Sequence, residues 1–370
     1  MNEIVRKLAS VRKIDAITPI ENADAIECAH IGGWKVVVKK GEFSPGDLAI
    51  YFEIDSWVPT TIAPFLSKGR EPRIYNNVRG ERLRTIKLRG QISQGLLLPL
   101  DFYEDESGNK EYMITDISSL EDEGYIENFI KVQEGDDVTE FLGIQKWEAA
   151  ISAQLRGLVR GSFPSFLRKT DQERVQNLNK EITKHKQEMF EVTIKLDGTS
   201  FTAYYNNGDI GCCSRNQLMK HDDDDNKDNL YVRIFHDSGL STVLPLIGRN
   251  IAIQGEIMGP GVQGNRETLK DTQLFVFDVF NIDEQRYMNA DERNNLMNEL
   301  IAYGINQFKV LHVPVLEYRT LKDIDTVDSI LQYAEGPSIN HPIREGVVFK
   351  SIESDFTFKA ISNKFLLNEE

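Results

Sequence analysis

One short stretch decides the fold of this chain: Lys195-Leu196-Asp197-Gly198-Thr199-Ser200. It reads K-x-D-G, with the lysine at the end of an alternating segment and an Asp-Gly turn directly after it. A lysine amine is a nucleophile only when it is neutral, and burial or nearby cations can bring it to that state. The competing interpretation is a solvent lysine before an ordinary hairpin turn, because chance places K-x-D-G in a chain of this length about one time in ten. The rest of the sequence has to decide between the two.

The residues next to this stretch predict two consecutive strands. Residues 190–195 alternate between apolar and polar side chains, which puts Thr193 and Lys195 on one face of a strand. Residues 200–205 form the predicted return strand. The sequence contains neither G-x-x-x-x-G-K-[ST] nor a strand-linked G-x-G-x-x-G, so a nucleotide would be held without a P-loop or a Rossmann turn.

A helix is predicted upstream of the lysine. The segment 170–173, Thr-Asp-Gln-Glu, has the sequence of a capping box. Val175, Leu178 and Ile182 follow at helical spacing, which predicts a helix of about four turns with a core-facing stripe.

The first 145 or so residues have the pattern of a small β-barrel. Short apolar runs at 34–38, 48–52 and 95–98 are separated by turn sequences. Two stretches, residues 23–49 and 87–96, resemble the OB-type barrels of tRNA-binding proteins.

Composition limits the class of protein. The chain has 370 residues, 40% of them hydrophobic and 27% charged, which suits two globular domains. We expect no signal peptide and no membrane partner, since no apolar run approaches the length of a membrane span. The three cysteines do not form a disulfide framework or a C-x-x-C zinc site, so we expect a reducing, cytoplasmic location.

Charge is unevenly distributed along the chain. The net charge of −15 argues against broad affinity for nucleic acid, yet residues 68–89 carry eight basic and two acidic side chains. This basic stretch is either a local phosphate-contact surface or a solvated strand face. Within it, Lys87 and Arg89 are the candidate nucleic-acid contacts, because they fall in the OB-like segment.

Further motifs follow the K-x-D-G stretch in order. Each has a simple structural explanation when taken alone, with phenylalanines in strand cores and charged side chains in solvent. Together, their order is poorly explained by chance. They are Ser214-Arg215-Asn216, G-E-x-x-G-P-G-x-Q at 255–263, F-V-F-D at 275–278, E-G-V-V-F-K at 345–350, and a terminal segment at 358–365 that contains Lys359.

This set of motifs resembles the covalent ligase and capping-enzyme superfamily over about residues 190–365. It is most similar to nick-sealing ATP-dependent RNA ligases, which share the G-E-x-x-G-P-G-x-Q, F-x-F-D and E-G-x-x-x-K strings. DNA ligases and capping enzymes of the superfamily carry their OB domain after the catalytic domain. Here an OB-like module comes first, as in the RNA ligase branch with an N-terminal OB domain.

The resemblance implies an α+β fold in three parts. Residues 1–145 would form an OB-like β-barrel that contacts nucleic acid, and residues 146–188 a linker and helix. Residues 189–370 would form a nucleotidyltransferase domain of antiparallel sheets and helices.

The resemblance also implies the chemistry. Lys195 would attack the α-phosphate of ATP, the AMP would pass to a 5′-phosphate, and a 3′-hydroxyl would then seal the break. Asp197, Glu256 and Glu345 would be the metal ligands, and oxygen ligands favour Mg²⁺ or Mn²⁺ over zinc. The residues implied to bind the nucleotide are Glu191, Thr193, Ile194, Arg215, Phe277, Lys350 and Lys359.

The resemblance also implies how individual residues would contact the nucleotide. Phe277 would stack on the adenine, and Glu191 or Thr193 would line the purine edge. Lys350 and Lys359 would offset phosphate charge and lower the pKa of Lys195. One position departs from the family pattern, because Ile361 stands where many relatives have a second lysine two residues after the first.

The implied partner is RNA, in the form of a nicked duplex, bound by a monomeric protein. Two alternatives stay open at this point. One is a DNA ligase or GTP-using capping enzyme of the same superfamily, and the other is a noncatalytic nucleic-acid-binding protein with a degenerate site.

Overall fold

The computed structural model describes residues 6–104, 110–115, 129–147, 158–222 and 226–368. Within these ranges the chain forms two compact units. The N-terminal unit contains the described residues up to 147 together with 176–179, and the C-terminal unit contains 158–175 and 180–368. The segment 146–188, predicted as a linker and helix, is therefore divided between the units.

The N-terminal unit is built from short antiparallel strands. They are β1 Ala9–Lys13, β2 Ala16–Pro19, β3 Ile26–Ile31, β4 Trp34–Lys39, β5 Leu48–Phe52, β6 Ser56–Pro59, β7 Arg73–Tyr75, β8 Val78–Arg82, β9 Thr85–Leu88, β10 Gln91–Gln94, β11 Leu96–Pro99, β12 Asp101–Glu104, β13 Lys110–Thr115, β14 Phe129–Val132 and β15 Gln145–Lys146. The predicted apolar runs become three of these strands, β4, β5 and β11. Pairing gives the orders β1-β5-β11, β2-β3-β4, β15-β6-β8-β7 and β12-β13-β14, with β9 and β10 as a separate hairpin. The buried apolar core of the unit includes Leu8, Val11, Ile50, Phe52 and Val58.

The C-terminal unit contains two sheets and several helices. The strands are β16 Val159–Ser162, β17 Glu173–Arg174, β18 Phe190–Lys195, β19 Thr199–Asn206, β20 Asp209–Cys213, β21 Gln217–Met219, β22 Ile251–Met258, β23 Gln273–Asn281, β24 Arg286–Tyr287, β25 Val310–His312, β26 Val315–Arg319, β27 Gly346–Ser351 and β28 Thr357–Ile361. The helices are α1 Asn179–His185, α2 Leu230–Asp237, α3 Leu240–Ile247, α4 Ala290–Ala302, α5 Val327–Ala334 and α6 Asn363–Asn368.

The two sheets have distinct strand orders. One sheet, called the lysine sheet because its strand β18 ends at Lys195, has the order β17-β28-β27-β18-β26. The other sheet, called the long sheet, has eight strands in the order β16-β21-β20-β19-β22-β23-β24, with β25 paired to β23. Pairing is antiparallel except between β17 and β28 and between β23 and β25. The predicted return strand after the K-x-D-G turn is β19, which lies in the long sheet, so the turn carries the chain from one sheet to the other.

Apolar packing fixes where Lys195 lies. In β18 the β-branched residues Val192, Thr193 and Ile194 suit a strand that is buried on both faces. At its end, Ile194 and Leu196 pack with Met258, Phe275 and Val313, which come from or next to the long sheet. The strand end that carries the lysine is therefore packed directly against the long sheet.

Gly198 is required by packing rather than by an unusual backbone angle. A Cβ at this position would collide with the backbone oxygen of Ile257 and with the side chains of Met258 and Glu256. The close approach that this glycine allows is to the β22 strand.

The predicted four-turn helix after residue 170 is wrong. Glu173 and Arg174 are extended and pair in parallel with Phe358 and Lys359, which excludes a helical start there. The Glu173 carboxylate accepts a hydrogen bond from the backbone nitrogen of Arg174 instead of capping a helix. The helix begins at Asn179 and ends at His185. Sheet pairing has overridden a local helical pattern.

Candidate active site

A cleft in the C-terminal unit collects many of the residues singled out from the sequence. It lies where the ends of β18, β27 and β28 face β22 and β23 of the long sheet. Its lining residues are Thr170, Asp171, Gln172, Thr193, Ile194, Lys195, Leu196, Ser200, Arg215, Glu256, Phe277, Val313, Val348, Lys350 and Lys359.

Lys195 is half-buried at this cleft and surrounded by acidic groups. Its Nζ donates a hydrogen bond to Oε1 of Glu345 at 2.6 Å, across 150 positions of sequence. Burial acts to lower the pKa of Lys195, but Glu345, Glu256 and Asp197 outweigh it and hold the pKa above the usual value. The expectation that cations lower this pKa is therefore wrong, because the charged groups that act on Lys195 are carboxylates.

The three carboxylates around Lys195 have different partners. Oε1 of Glu256 accepts a hydrogen bond from the Gly198 backbone nitrogen at 3.1 Å, and Oδ2 of Asp197 accepts one from Nη1 of Arg266 at 3.2 Å. Burial and the neighbouring carboxylates raise the pKa of Glu256 to about 8, although Lys195 acts in the opposite direction. The carboxylates of Asp197, Glu256 and Glu345 are close enough to repel one another. A bound cation would reduce this repulsion.

The carboxylates around Lys195 have the donor atoms that a metal site needs. In the part of the chain that the structure describes, no group of three or more carboxylate, histidine or cysteine side chains is arranged to chelate a metal ion. The residues nonetheless fit a hard cation by donor type and by accumulated negative charge. Such a cation would be held in part through its own water molecules.

Lys350 lies deeper in the cleft than Lys195. Its Nζ donates to Oδ1 of Asp278 at 2.6 Å and to the backbone oxygen of Phe277 at 2.5 Å. Burial lowers the pKa of Lys350, with Asp278 opposing the shift. Lys350 belongs to the lysine sheet and Asp278 to the long sheet, so this ion pair crosses the cleft beside the ring of Phe277.

Lys359 and Arg215 enter the cleft from opposite sides. Lys359 comes from β28 of the lysine sheet, and Arg215 from the turn between β20 and β21 of the long sheet. Both bind the same carboxylate, that of Asp171, at 2.8 and 3.5 Å.

The nucleotide residues expected on β18 have separate environments. Thr193 and Ile194 line the cleft. Glu191 does not line it, because its side chain is 1% exposed and its carboxylate accepts hydrogen bonds from Arg293 and from the hydroxyl of Tyr318. The structure therefore gives Glu191 a buried ionic partner in place of the predicted contact with the purine edge.

This buried network was not found from the sequence. Arg293 lies on α4, is 2% exposed, and donates through Nε to Nε2 of His312 at 2.9 Å. His312 is followed by Val313, which lines the cleft. One feature of the sequence indicates such a network: Arg293 lies at helical spacing with Leu296 and Leu300, which are buried. A charged residue in an apolar helical stripe needs a buried partner.

We expect His312 to make the protein less stable as the pH falls below about 6.5. Its Nε2 accepts the bond from Arg293, so the proton is on Nδ1, 2.7 Å from the backbone oxygen of Val313. Burial and the charge of Arg293 lower the pKa of His312 from 6.5. Below pH 6.5 the unfolded chain therefore binds more protons than the folded one, and stability falls by up to about 1.4 kcal/mol per pH unit until the lowered pKa is reached.

Urea unfolding between pH 7.5 and 5.5 tests this expectation with His312→Gln as the comparison. The glutamine oxygen can accept the bond from Arg293 but does not titrate, so the variant should lose less stability over this range. Equal slopes for the two proteins would contradict the assignment.

The predicted nucleic-acid contacts lie in the N-terminal unit. Lys87 is exposed on β9, and Arg89 is exposed in the two-residue turn between β9 and β10, with φ of +48° at Arg89 and +85° at Gly90. Among the other members of the basic stretch, Arg79 pairs with Glu71 at the surface, and Arg82 pairs with Asp55. Lys87 and Arg89 both present their charge to solvent at the exposed hairpin tip.

The fold and the cleft, which holds the strand-end Lys195 together with Lys350 and Lys359, define a class of protein whose site suits a phosphorylated ligand. Family models agree with this class, since an OB-fold domain model matches residues 8–100 and an RNA ligase model matches residues 188–361. The chain belongs to the RNA ligase family, with an OB-fold domain ahead of the ligase domain. The predictions of fold class and family are confirmed.

Solved structures of one relative are similar over nearly the whole chain. A mutant of Naegleria gruberi RNA ligase with ATP and Mn is 42% identical, with a TM-score of 0.82 and coverage of 98% of both chains. The same ligase with PPi, and a mutant with AMP and Mn, are each 43% identical with the same TM-score and coverage. No curated protein sequence matches the chain. Among the described residues, no helix is long and apolar enough to cross a membrane.

Proposed function

We propose that this ATP-dependent RNA ligase seals 3′-hydroxyl/5′-phosphate breaks in RNA duplexes through lysyl-AMP and 5′-adenylylated RNA. The observation that carries the proposal is the position of Lys195, packed at a strand end beside Glu345 and opening into a cleft that also holds Lys350 and Lys359. The Naegleria gruberi ligase has been solved with ATP, with AMP and with PPi, which are the nucleotide substrate and the two nucleotide-derived products of a complete ATP-dependent ligation.

In the first step, the neutral amine of Lys195 attacks the α-phosphorus of ATP. An N–P bond forms, the bond to the β-phosphate oxygen breaks, pyrophosphate leaves, and the amine gives up a proton. The residues of the chain supply the charge that this step needs, because Lys350 and Lys359 stand where they offset negative charge on phosphate oxygens. Phe277 offers a ring on which the adenine can stack, and Thr193 and Ile194 line the cleft beside Lys195.

The amine has to be neutral before it attacks, and its carboxylate neighbours oppose this. Asp197, Glu256 and Glu345 would hold Mg²⁺ or Mn²⁺. Mn is the metal found in a structure of the Naegleria gruberi relative. When bound, the metal supplies positive charge that stabilises the phosphates and lowers the pKa of the neighbouring amine. Glu345 is placed at 2.6 Å from Nζ to orient the amine toward the cleft.

The later steps use the same cleft. An oxygen of the RNA 5′-phosphate attacks the lysyl-AMP phosphorus, the N–P bond breaks, and Lys195 regains its proton. The 3′-hydroxyl then attacks the 5′-phosphate, AMP leaves, and the strand is joined.

Nick sealing is tested with a 5′-labelled RNA strand placed at a nick in a duplex. We expect labelled 5′-adenylylated RNA followed by the joined strand with ATP, and neither with GTP. A nick with a DNA 3′-end and the same RNA as a single strand are the comparisons. Equal sealing of the DNA 3′-end would favour a DNA ligase, equal sealing of the single strand would reject the preference for nicks, and label transfer from GTP would favour a capping enzyme.

We expect Lys87→Ala together with Arg89→Ala to weaken sealing while leaving the formation of lysyl-AMP within about twofold. The two exposed charges lie in the N-terminal unit, whereas Lys195 and the residues that line its cleft belong to the C-terminal unit. If both contact phosphates, the slope of log affinity against log salt becomes shallower by about 1 to 2. The measurements are RNA binding at several salt concentrations and the two half-reactions assayed separately.

Lys40→Ala is the control for this prediction, because Lys40 is an exposed lysine of the same unit outside the basic stretch. It should change neither sealing nor the salt dependence. Equal loss of lysyl-AMP formation and sealing in the double variant would reject the division of labour between the units.

A further inference from the structure

Residues 163–172 form a strap that joins the two sheets of the C-terminal unit. The strap follows β16 of the long sheet and leads into β17 of the lysine sheet. Near its start, the backbone nitrogen of Phe163 donates to the oxygen of Asn216 at 2.9 Å. Further along, the backbone oxygen of Arg168 accepts a hydrogen bond from Nε2 of Gln254 at 2.7 Å, so the strap is held against the long sheet.

The far end of the strap is fixed to the lysine sheet. Arg174 in β17 is paired in register with Lys359 in β28. Asp171 stands three residues before Arg174, so its backbone position is tied to the strand that carries Lys359. Its side chain lines the cleft beside Thr170 and Gln172.

The carboxylate of Asp171 binds one cation from each wall of the cleft. Oδ1 accepts a hydrogen bond from Nζ of Lys359 at 2.8 Å, and Oδ2 accepts one from Nη2 of Arg215 at 3.5 Å. The side chains of Lys359 and Asp171 are 13% and 27% exposed, so water screens this pair only in part. The shared counter-ion offsets the repulsion between the two cations and holds both against one carboxylate.

The spacing of these cations matters because a triphosphate carries its negative charges on successive phosphates along one short chain. The terminal motif offers Lys359 with Ile361 two residues later, and Ile361 is buried at 4% exposure. Lys195 and Lys350 are each paired with a separate carboxylate, Glu345 and Asp278. Lys359 and Arg215, in contrast, meet at one carboxylate, that of Asp171.

We propose that Asp171 is a positioning residue that sets the separation of Lys359 and Arg215 so that they receive the phosphates of ATP before Lys195 reacts. This inference rests on the proposed function, since it concerns the nucleotide of that reaction. Asp171 acts through the two cations and touches none of the reacting atoms.

The test is the rate of lysyl-AMP formation as a function of ATP concentration in Asp171→Asn and Asp171→Glu. The asparagine keeps the shape but loses the charge that holds both cations, so we expect KM for ATP to rise on the order of tenfold with kcat changed by less than about threefold. The glutamate keeps the charge and should restore KM to within about threefold of the wild type. Asp323→Asn is the matched control, an exposed carboxylate of the same unit that pairs with Arg319.

Two results would overturn the inference. A KM for ATP that is unchanged or lower in Asp171→Asn would mean that the carboxylate does not place the cations or competes with the phosphates. Failure of Asp171→Glu to restore KM, together with a melting temperature that falls in both variants, would mean that the role is only structural. Absence of lysyl-AMP in the wild-type protein would instead reject the proposed function, so the two failures are distinguishable.

Discussion

Lysine 195 replaced by alanine should give a protein that takes up no AMP from ATP. The amine is the group that forms the covalent bond, and alanine leaves nothing in its place that can attack the α-phosphate. Removal of a covalent nucleophile lowers the rate by about 10⁴-fold or more, which is below detection in this assay. The measurement is the intact mass of the protein after incubation with ATP and Mg²⁺ or Mn²⁺, where the wild type should gain one adenylyl group.

Two controls make this result specific. Lys186→Ala removes a lysine of the same unit that pairs with Asp325 at 3.2 Å, and it should be adenylylated like the wild type. The wild type must first be treated with pyrophosphate, because protein that is already adenylylated would show no gain. Lys195→Ala should still join RNA that is supplied with a 5′-adenylyl group, since that step does not use the amine as a nucleophile. Uptake of AMP by the variant would place the nucleophile elsewhere.

Arg293→Ala should lower the free energy of unfolding by about 3–5 kcal/mol. Arg293 and Glu191 form an ion pair whose side chains are 2% and 1% exposed, and breaking such a pair leaves one charge buried without its counter-ion. The same substitution removes the donor to His312. Equilibrium unfolding in urea measures the effect, and a loss below about 1 kcal/mol would contradict the buried ion pair.

A substitution of Glu191 distinguishes a role in protein stability from a role in contacting the nucleotide. Glu191→Gln removes the charge but keeps oxygen and nitrogen atoms for Arg293 and Tyr318, so it should destabilise the protein less than Arg293→Ala. If the carboxylate of Glu191 contacted the purine, KM for ATP would rise in this variant without loss of stability. Arg249→Ala is the surface control, because Arg249 and its partner Glu299 form an exposed ion pair and such pairs contribute at most about 1 kcal/mol.

Local patterns in the sequence account for much of the fold. The alternation in residues 190–195 predicted β18, and the Asp-Gly turn predicted a return strand, which is β19. Both depend on neighbours within a few residues, where the period of the side chains is informative. The helix predicted from residue 170 failed because its first residues pair with β28, a strand about 185 positions away that no local pattern reveals.

The candidate site shows the same division. The motifs around Lys195, Glu256, Phe277, Lys350 and Lys359 were identified from residue types in sequence order, and the structure places all five at one cleft. Their partners were not identifiable in this way. Asp278, Asp171 and Arg293 become meaningful only when strands and helices far apart in sequence bring opposite charges together.

The sequence by itself determined that the chain has a lysine nucleophile motif, the order of the motifs that accompany it, and an OB-like module ahead of them. These properties depend on residue identity and spacing. The tertiary structure decided that Lys195 is paired with Glu345, that Glu191 is paired with Arg293, and that Asp171 joins Lys359 to Arg215. The physical reason is that charge state and hydrogen bonding depend on burial and on distances of a few ångströms, and folding sets both between residues that lie tens to hundreds of positions apart.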